Sequence, residues 1–348
     1  MDTSLQRYPI PGDVREWLKD HLWQASEPGK QFDAIDLNPY LEYYSTRYLR
    51  SAREGGTHIS IKSHSEIVDI AMEILKDATR TELCTSLGSP PDDVDIDRRT
   101  KAEKTVDMCA SLLLMAEVGV PEYRFIGASF LSWSGPQTLR QAIGQHFRPE
   151  KVLQPDNLRM GKIFTARNLV YIGGIKVKWT NNIVDHLLLA DDDQSVMVFH
   201  QVGFLRSQQT LHHPVFSKSF IDETLRTLAL LFPQNDSKSL RWLRRQIVEH
   251  KLDPAMAKCG TIRPQQRRRF EHFSFWHDRL VILKQAFDES SPWGLKQWWN
   301  DRRNSVQWYT FWVAILVFIM TMFFGLVQSI AGALQVYLSW KALYAETT

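Results

Sequence analysis

Between Asn304 and Trp340 the chain carries no Asp, Glu, Lys or Arg, and from Trp312 to Met320 it has no polar face at all. A surface helix keeps one polar side, so this stretch needs either complete burial or lipid around it. Crossing a hydrocarbon core of about 30 Å takes about 20 mostly apolar residues, which the run Phe311–Val327 and its flanks supply. Trp308, Tyr309 and Trp312 on one side and Tyr337 and Trp340 on the other match an interfacial aromatic belt. Two passes would need about 40 apolar residues or more, and Gln328, Ser329, Gly332 and Gln335 interrupt the later half. One transmembrane helix is therefore expected. From Phe311 to Leu338 it would be about 42 Å long, so a tilt, or a bend near Gly325, is expected.

The flanking cations orient this helix. Lys296, Arg302 and Arg303 precede it and only Lys341 closely follows, which puts residues 1–303 on the cytosolic side. No apolar run follows a basic patch near Met1, so no signal peptide is expected and the chain reads as tail-anchored. Trp298, Trp299, Arg302, Arg303, Trp308, Trp312 and Trp340 are the expected membrane-interface residues, with membrane lipids as partners. Gly325, Ser329 and Ala333 recur every four residues, a small-residue ridge that lets two helices approach closely. Self-association through that ridge, helped by Gln328 and Gln335, is the corresponding expectation. Nothing in the helix distinguishes the endoplasmic reticulum from another organelle.

The rest is long enough for one large domain or two modest ones, and its hydrophobic content of 44% supports a packed core. A net charge of +3 does not by itself call for nucleic acid. Cys84, Cys109 and Cys259 are few and widely spaced, as expected of reduced thiols. The expected class is α+β and mostly α-helical: a cytosolic body containing a winged-helix-like unit, then the transmembrane helix. Residues 1–56 read as an N-terminal arm, with a helix from Asp13 to Gln24 and a Tyr-rich, weakly periodic segment at Tyr40, Tyr43, Tyr44 and Tyr48. Residues 57–99 give a strand (Thr57–Lys62), a helix capped by Ser65 and an acidic linker.

Residues 100–210 read as a unit. Its order is a helix from Thr100 to Val118, a strand at Phe130–Trp133, a helix opening at Ser134-Gly-Pro136, and a third helix from Lys162 to Ile172. Strands Ile175–Thr180 and Ser195–His200 follow, with a short helix from Asn181 to Leu189 between them. This is the order of a winged-helix domain with an inserted helix. Residues 211–303 form a helical basic and aromatic region, with helices near Ser219, at Ser239–Glu249 and at Pro264–Phe287. Residues 304–340 are the anchor and 341–348 a short tail.

Motifs for catalysis are missing. The chain has no phosphate-binding glycine loop, dinucleotide fingerprint or nucleophile elbow. His186 and His200 flank Asp191-Asp-Asp193, but at none of the tight spacings that metal sites use, and His212-His213 precedes a proline as a turn would. No cofactor or metal is therefore expected. Asp185, His186 and His200 are the candidates for acid–base chemistry, without a marked nucleophile. Arg241, Arg244 and Arg245, with Arg263, Arg267, Arg268 and Arg269, form either a solvated face or a surface attracted to anionic headgroups. No nucleic-acid reader motif accompanies them, so nucleic acid is not expected as a partner.

Three phrases are distinctive: Leu169-Val-Tyr-Ile-Gly-Gly-Ile-Lys-Val-Lys-Trp-Thr-Asn-Asn-Ile-Val-Asp-His186, Thr224-Leu-Arg-Thr-Leu-Ala-Leu-Leu-Phe-Pro-Gln-Asn-Asp236, and Trp298-Trp-Asn-Asp-Arg-Arg-Asn-Ser-Val-Gln-Trp-Tyr-Thr-Phe-Trp312. With them, most of residues 65–340 resembles a large family of uncharacterised filamentous-fungal proteins with a single C-terminal transmembrane helix. Some members are encoded in secondary-metabolite gene clusters. The resemblance implies an accessory membrane role, and it transfers no activity onto particular residues. A likeness to two-helix magnesium channels fails on the absent Gly-Met-Asn and the single span. The expected function is a membrane-anchored accessory or scaffold protein that holds protein partners, without a recognisable catalytic site. A membrane-bound enzyme and a membrane-tethered nucleic-acid-binding regulator are the alternatives.

Overall fold

The computed structural model describes residues 10–22, 35–53, 59–90, 95–119, 129–149, 151–153, 160–211, 214–262, 268–290 and 305–345. The chain divides into two units, Met1–Ser290 and Ser291–Thr348.

In the first unit, helix α1 (Gly12–Leu22) buries Val14, Leu18 and Leu22 at a four-residue spacing. Helix α2 (Asn38–Arg53) does the same with Tyr40, Tyr44 and Tyr48, each exposed by 1% or less. A buried phenol needs a partner for its hydroxyl. Tyr40 donates to the Leu112 carbonyl (3.1 Å), and the Tyr44 hydroxyl shares a hydrogen bond with His64 Nδ1 (3.0 Å). The Tyr-rich segment is thus a helix whose polar tips made its periodicity hard to read.

Helix α3 (His64–Leu75) starts at Ser63, two residues before the expected cap; the Ser63 hydroxyl accepts from the Glu66 amide, and Glu66 accepts from the Lys62 amide. Residues 59–62 form no strand. Ile59 and Ile61 are buried alternately, but the Ser60 amide bonds the Thr105 side chain of a helix, not a neighbouring strand. Helices α4 (Arg80–Ser86) and α5 (Ile96–Leu114) follow, with α5 capped by Asp95 and closed by Met115 in the left-handed region.

The expected strand at Phe130–Trp133 is reduced to one bridge, Leu131 to Val118. Helix α6 (Leu139–His146) starts five residues after Ser134 because Thr138 and Gln141 form a reciprocal capping box there. Helix α7 (Ala166–Tyr171) is likewise held to a late start by Thr165.

Strands β1 (Lys176–Thr180) and β3 (Ser195–Phe199) are parallel, and β2 (Leu189–Ala190) pairs antiparallel with β3, giving the order β1-β3-β2. The expected helix at Asn181–Leu189 shrinks to a 3-10 turn at Ile183–Asp185. The parallel pairing departs from the antiparallel hairpin of a wing, so the helix–strand order does not extend to that topology.

Helix α8 (Val202–Thr210) comes straight off β3 and is buried along most of its length. Helix α9 (Lys218–Leu231) is capped by Ser217 and helix α10 (Ser237–His250) by Asp236. Pro264–Phe287 is not one helix. A 3-10 turn at Phe270–His272 precedes helix α11 (His277–Glu289). Between them, the buried Glu223 carboxylate accepts from the amides of Ser274, Phe275 and Trp276 at 2.7–2.8 Å, bonds that a continuous helix would have taken for itself. Side chains from Ile10 to Phe287 meet in one hydrophobic core.

The second unit is helix α12 (Ser305–Ala345), which passes through Gly325 without interruption. Its segment Tyr309–Lys341 is long and apolar enough to cross a membrane, and no residue of its most apolar stretch is buried. At 1.5 Å per residue that segment is about 50 Å long, more than a hydrocarbon core requires.

Candidate functional site

A polar cleft of about 480 Å³ opens in the first unit. One wall is α2, whose residues Tyr43 and Arg47 on one row and Glu42, Thr46 and Arg50 on the next line it. The opposite side combines Glu117 after α5, the corner from Thr180 to Asp185, His200 with Gln201, and His250 with Lys251 ending α10. Both signs of charge are present, in contrast to the largely apolar lining of most small-molecule pockets.

Asn182 is the hinge of the corner. Its Oδ1 accepts from the amides of Glu117 (3.1 Å) and Val184 (3.2 Å), and its Nδ2 donates to the Ser129 carbonyl (2.8 Å) and to Asp185 Oδ2 (2.9 Å). All four of its hydrogen-bonding positions are used. Asp185 also accepts from the Ser129 amide at 2.8 Å. Burial raises the Asp185 pKa, while these bonds and the Arg279 guanidinium pull it down. Arg279 reaches the corner from α11 and donates to the carbonyls of Val184 (2.6 Å) and His186 (2.7 Å).

Arg47 grips Glu117 with two nitrogens, at 2.8 and 2.7 Å, but leaves its Nε without a partner. Gln201 is 3% exposed, donates to Asn181 Oδ1 (2.9 Å), and leaves Oε1 unpaired. His200 accepts the Asp253 amide on Nδ1 at 3.3 Å, and burial lowers its pKa to about 4. The neutral ring therefore carries its proton on Nε2, as a donor with no hydrogen-bond partner among the described residues.

The three acid–base candidates separate. Asp185 and His200 line the cleft; His186 does not. Its Nδ1 accepts the Phe199 amide (3.2 Å) and its Nε2 meets Thr227 Oγ1 (2.7 Å), with Trp276 edge-on at 4.8 Å. Burial, with Arg279 nearby, drives its pKa down to about 3. His186 is a core residue with both ring nitrogens engaged, and it does not share the cleft with Asp185. Asp191 is occupied by Lys178 (2.6 Å) and Ser195 (2.7 Å), and among the described residues no three His, Cys, Asp or Glu side chains gather as metal ligands.

The sequence reading missed Arg47, Glu117, Asn182 and Gln201. The spacing of Tyr40, Tyr44 and Tyr48 could have revealed α2, and Asn182-x-x-Asp185 has the form of a helix-start cap.

Trp298, Trp299, Arg302, Arg303, His212, His213, Arg263 and Arg267 lie outside the described residues. Trp308 lies on α12, Trp312 is half-buried and Trp340 is exposed, as are Gly325, Ser329 and Ala333. The basic cluster is smaller than expected: Arg268 turns inward to the carbonyls of Leu230 (3.0 Å) and Phe164 (3.4 Å), and Arg269 lies 3.8 Å from Glu271. Comparison with protein-family models, curated proteins and solved structures finds no match.

Proposed function

We propose that this is a single-pass membrane protein whose body, held at the cytosolic face, acts as an accessory or scaffold for a protein partner. One observation carries the reading: α12 exposes a segment, Tyr309–Lys341, long and apolar enough to cross a membrane, while the first unit already has its own core. In water such a surface would aggregate; in a bilayer it is solvated. The resemblance to fungal proteins with one C-terminal membrane helix supports placing that accessory role beside a secondary-metabolite pathway. The test is carbonate extraction with protease protection of an N-terminally tagged full chain, beside a chain ending at Arg303. Retention of the full chain, digestion of its tag without detergent, and release of the shortened chain are expected. Free extraction of the full chain, or a protected tag, would overturn the reading.

A membrane-bound enzyme or small-molecule binder is the second reading, favoured by Asp185 and His200 lining one cleft. Ligand-observed magnetic resonance of the full chain in detergent against small polar metabolites tests it. It requires a binder that His200→Gln weakens; none, across a broad library, removes it.

A further inference from the structure

Helix α10 presents a second feature, outside the cleft. Its inner side buries Ser239 and Leu243 and half-buries Trp242 and Ile247 against the core. Its outer side carries Lys238, Arg241, Arg244, Arg245 and Val248, all exposed. At 3.6 residues per turn these five fall within an arc of about 120°, and Lys251 continues the row at the end of the helix. Among the described residues none of these cations has an ion-pair or side-chain hydrogen-bond partner. Glu249, at the edge of the arc, is engaged by Gln246; Asp236 is spent on the cap. Val248 sits near the middle of the arc and is 81% exposed.

Unpaired arginines around an exposed apolar residue suit a surface that is both anionic and greasy just below its charge. We infer that this face of α10 docks on anionic headgroups of the bilayer in which α12 is anchored, holding the body against the membrane. The inference rests on the anchored reading. Charge complementarity selects the occupant, and the chain's own connectivity supplies proximity: residues 291–304, even fully extended, reach about 50 Å. Once α12 is inserted, the local concentration of headgroups is high and the entropy of association is largely met. Docking would also fix how the cleft, whose rim includes His250 and Lys251, is presented along the membrane.

The test uses the full chain in phosphatidylcholine nanodiscs with and without phosphatidylserine. A spin label is placed by Val248→Cys after Cys84→Ser and Cys259→Ser; Cys109 is fully buried. Phosphatidylserine is expected to immobilise the label and shield it from a water-soluble relaxant, and high salt to reverse this. Each cation near an anionic surface contributes about a fivefold preference. Arg241→Gln, Arg244→Gln and Arg245→Gln together should therefore reduce the docked-to-free ratio roughly a hundredfold. Equal accessibility in both discs while the chain stays inserted overturns the docking alone. A chain that leaves the discs overturns the anchor, and this inference with it. A label that responds to duplex DNA but not to phosphatidylserine makes the face a nucleic-acid surface and refutes the lipid assignment.

Discussion

Replacing Glu223 by Gln should destabilise the body by about 2–4 kcal/mol. Glu223 is 3% exposed, and its carboxylate accepts from three successive amides: Phe275 and Trp276 on Oε1 (2.7 and 2.8 Å) and Ser274 on Oε2 (2.8 Å). These bonds stop the backbone from helixing before His277 and aim Trp276 inward, where its indole donates to Thr224 Oγ1 at 2.9 Å and its ring edge meets His186. A glutamine keeps one carbonyl oxygen, enough for Phe275 and Trp276, but turns its amide nitrogen toward the Ser274 N–H. One charge-assisted bond, worth about 1.5–3 kcal/mol, becomes a donor facing a donor, and the other two lose their charge. Glu223→Ala orphans all three amides at about 1–3 kcal/mol each, approaching the 5–15 kcal/mol total of a typical domain, so that variant should express poorly. The assay is guanidinium denaturation of the full chain in detergent, followed by near-ultraviolet circular dichroism. If Glu223→Gln unfolds within about 0.5 kcal/mol of the parent, the carboxylate is not what holds this loop, and the account of why Pro264–Phe287 fails to be one helix is wrong.

Gln208 is fully buried, and among the described residues neither of its side-chain amide atoms has a hydrogen-bond partner; Gln208→Leu should raise stability by about 1–3 kcal/mol, and a lower denaturation midpoint would contradict this. Gly203→Ala should unfold the body more readily by about 1–3 kcal/mol, because a Cβ there would lie 2.6 Å from the Asp36 carbonyl oxygen; an unchanged midpoint would show that the chain at Asp36 yields easily. His186 and His200, lowered to about 3 and 4, bind fewer protons folded than unfolded, so their contribution is complete above pH about 6.5 and declines as pH falls toward 4, by up to about 1 kcal/mol per pH unit for each. The raised carboxyls of Asp107, Asp185 and Asp253 oppose this at the acid end. Stability measured at pH 7 and 5.5 checks the sign, and a profile rising toward acid would refute it.

What could be read from the chain alone follows a physical division. Elements whose signal is local and apolar were legible: the stripes of α3, α5 and α9, the alternation of β1 and β3, and the long α12. Elements decided by a polar side chain reaching across the fold were not. Ser63 displaced Ser65 as a cap, its hydroxyl accepting the Glu66 amide while Glu66 accepts the Lys62 amide, and Thr138 displaced Ser134 because Gln141 completes a capping box with it. The three amides held by Glu223 are fifty residues away from it in sequence. The alternating Ile59 and Ile61 looked like a strand because the same in–out pattern serves a segment lying on a helix.

The candidate site was the least legible part, and its composition explains why. A helix long and apolar enough to cross a membrane needs an apolar side chain at nearly every position, so its signature is written continuously from Phe311 to Val327. The cleft instead collects Arg47, Glu117, Asn182, Asp185, His200 and Lys251 from distant stretches, and all but Lys251 also make hydrogen bonds or ion pairs that hold the fold. Adjacency misled as well. Asp185 and His186 are neighbours on a 3-10 turn, where consecutive side chains leave in different directions, so one lines the cleft and the other enters the core. His200, whose ring is oriented by the Asp253 amide, shares the cleft with Asp185 although it lies fifteen residues further along the chain. Asp185, held by Asn182, and His200, held by the backbone, therefore line one cleft, a neighbourhood visible only after β1 and β3 have been placed side by side.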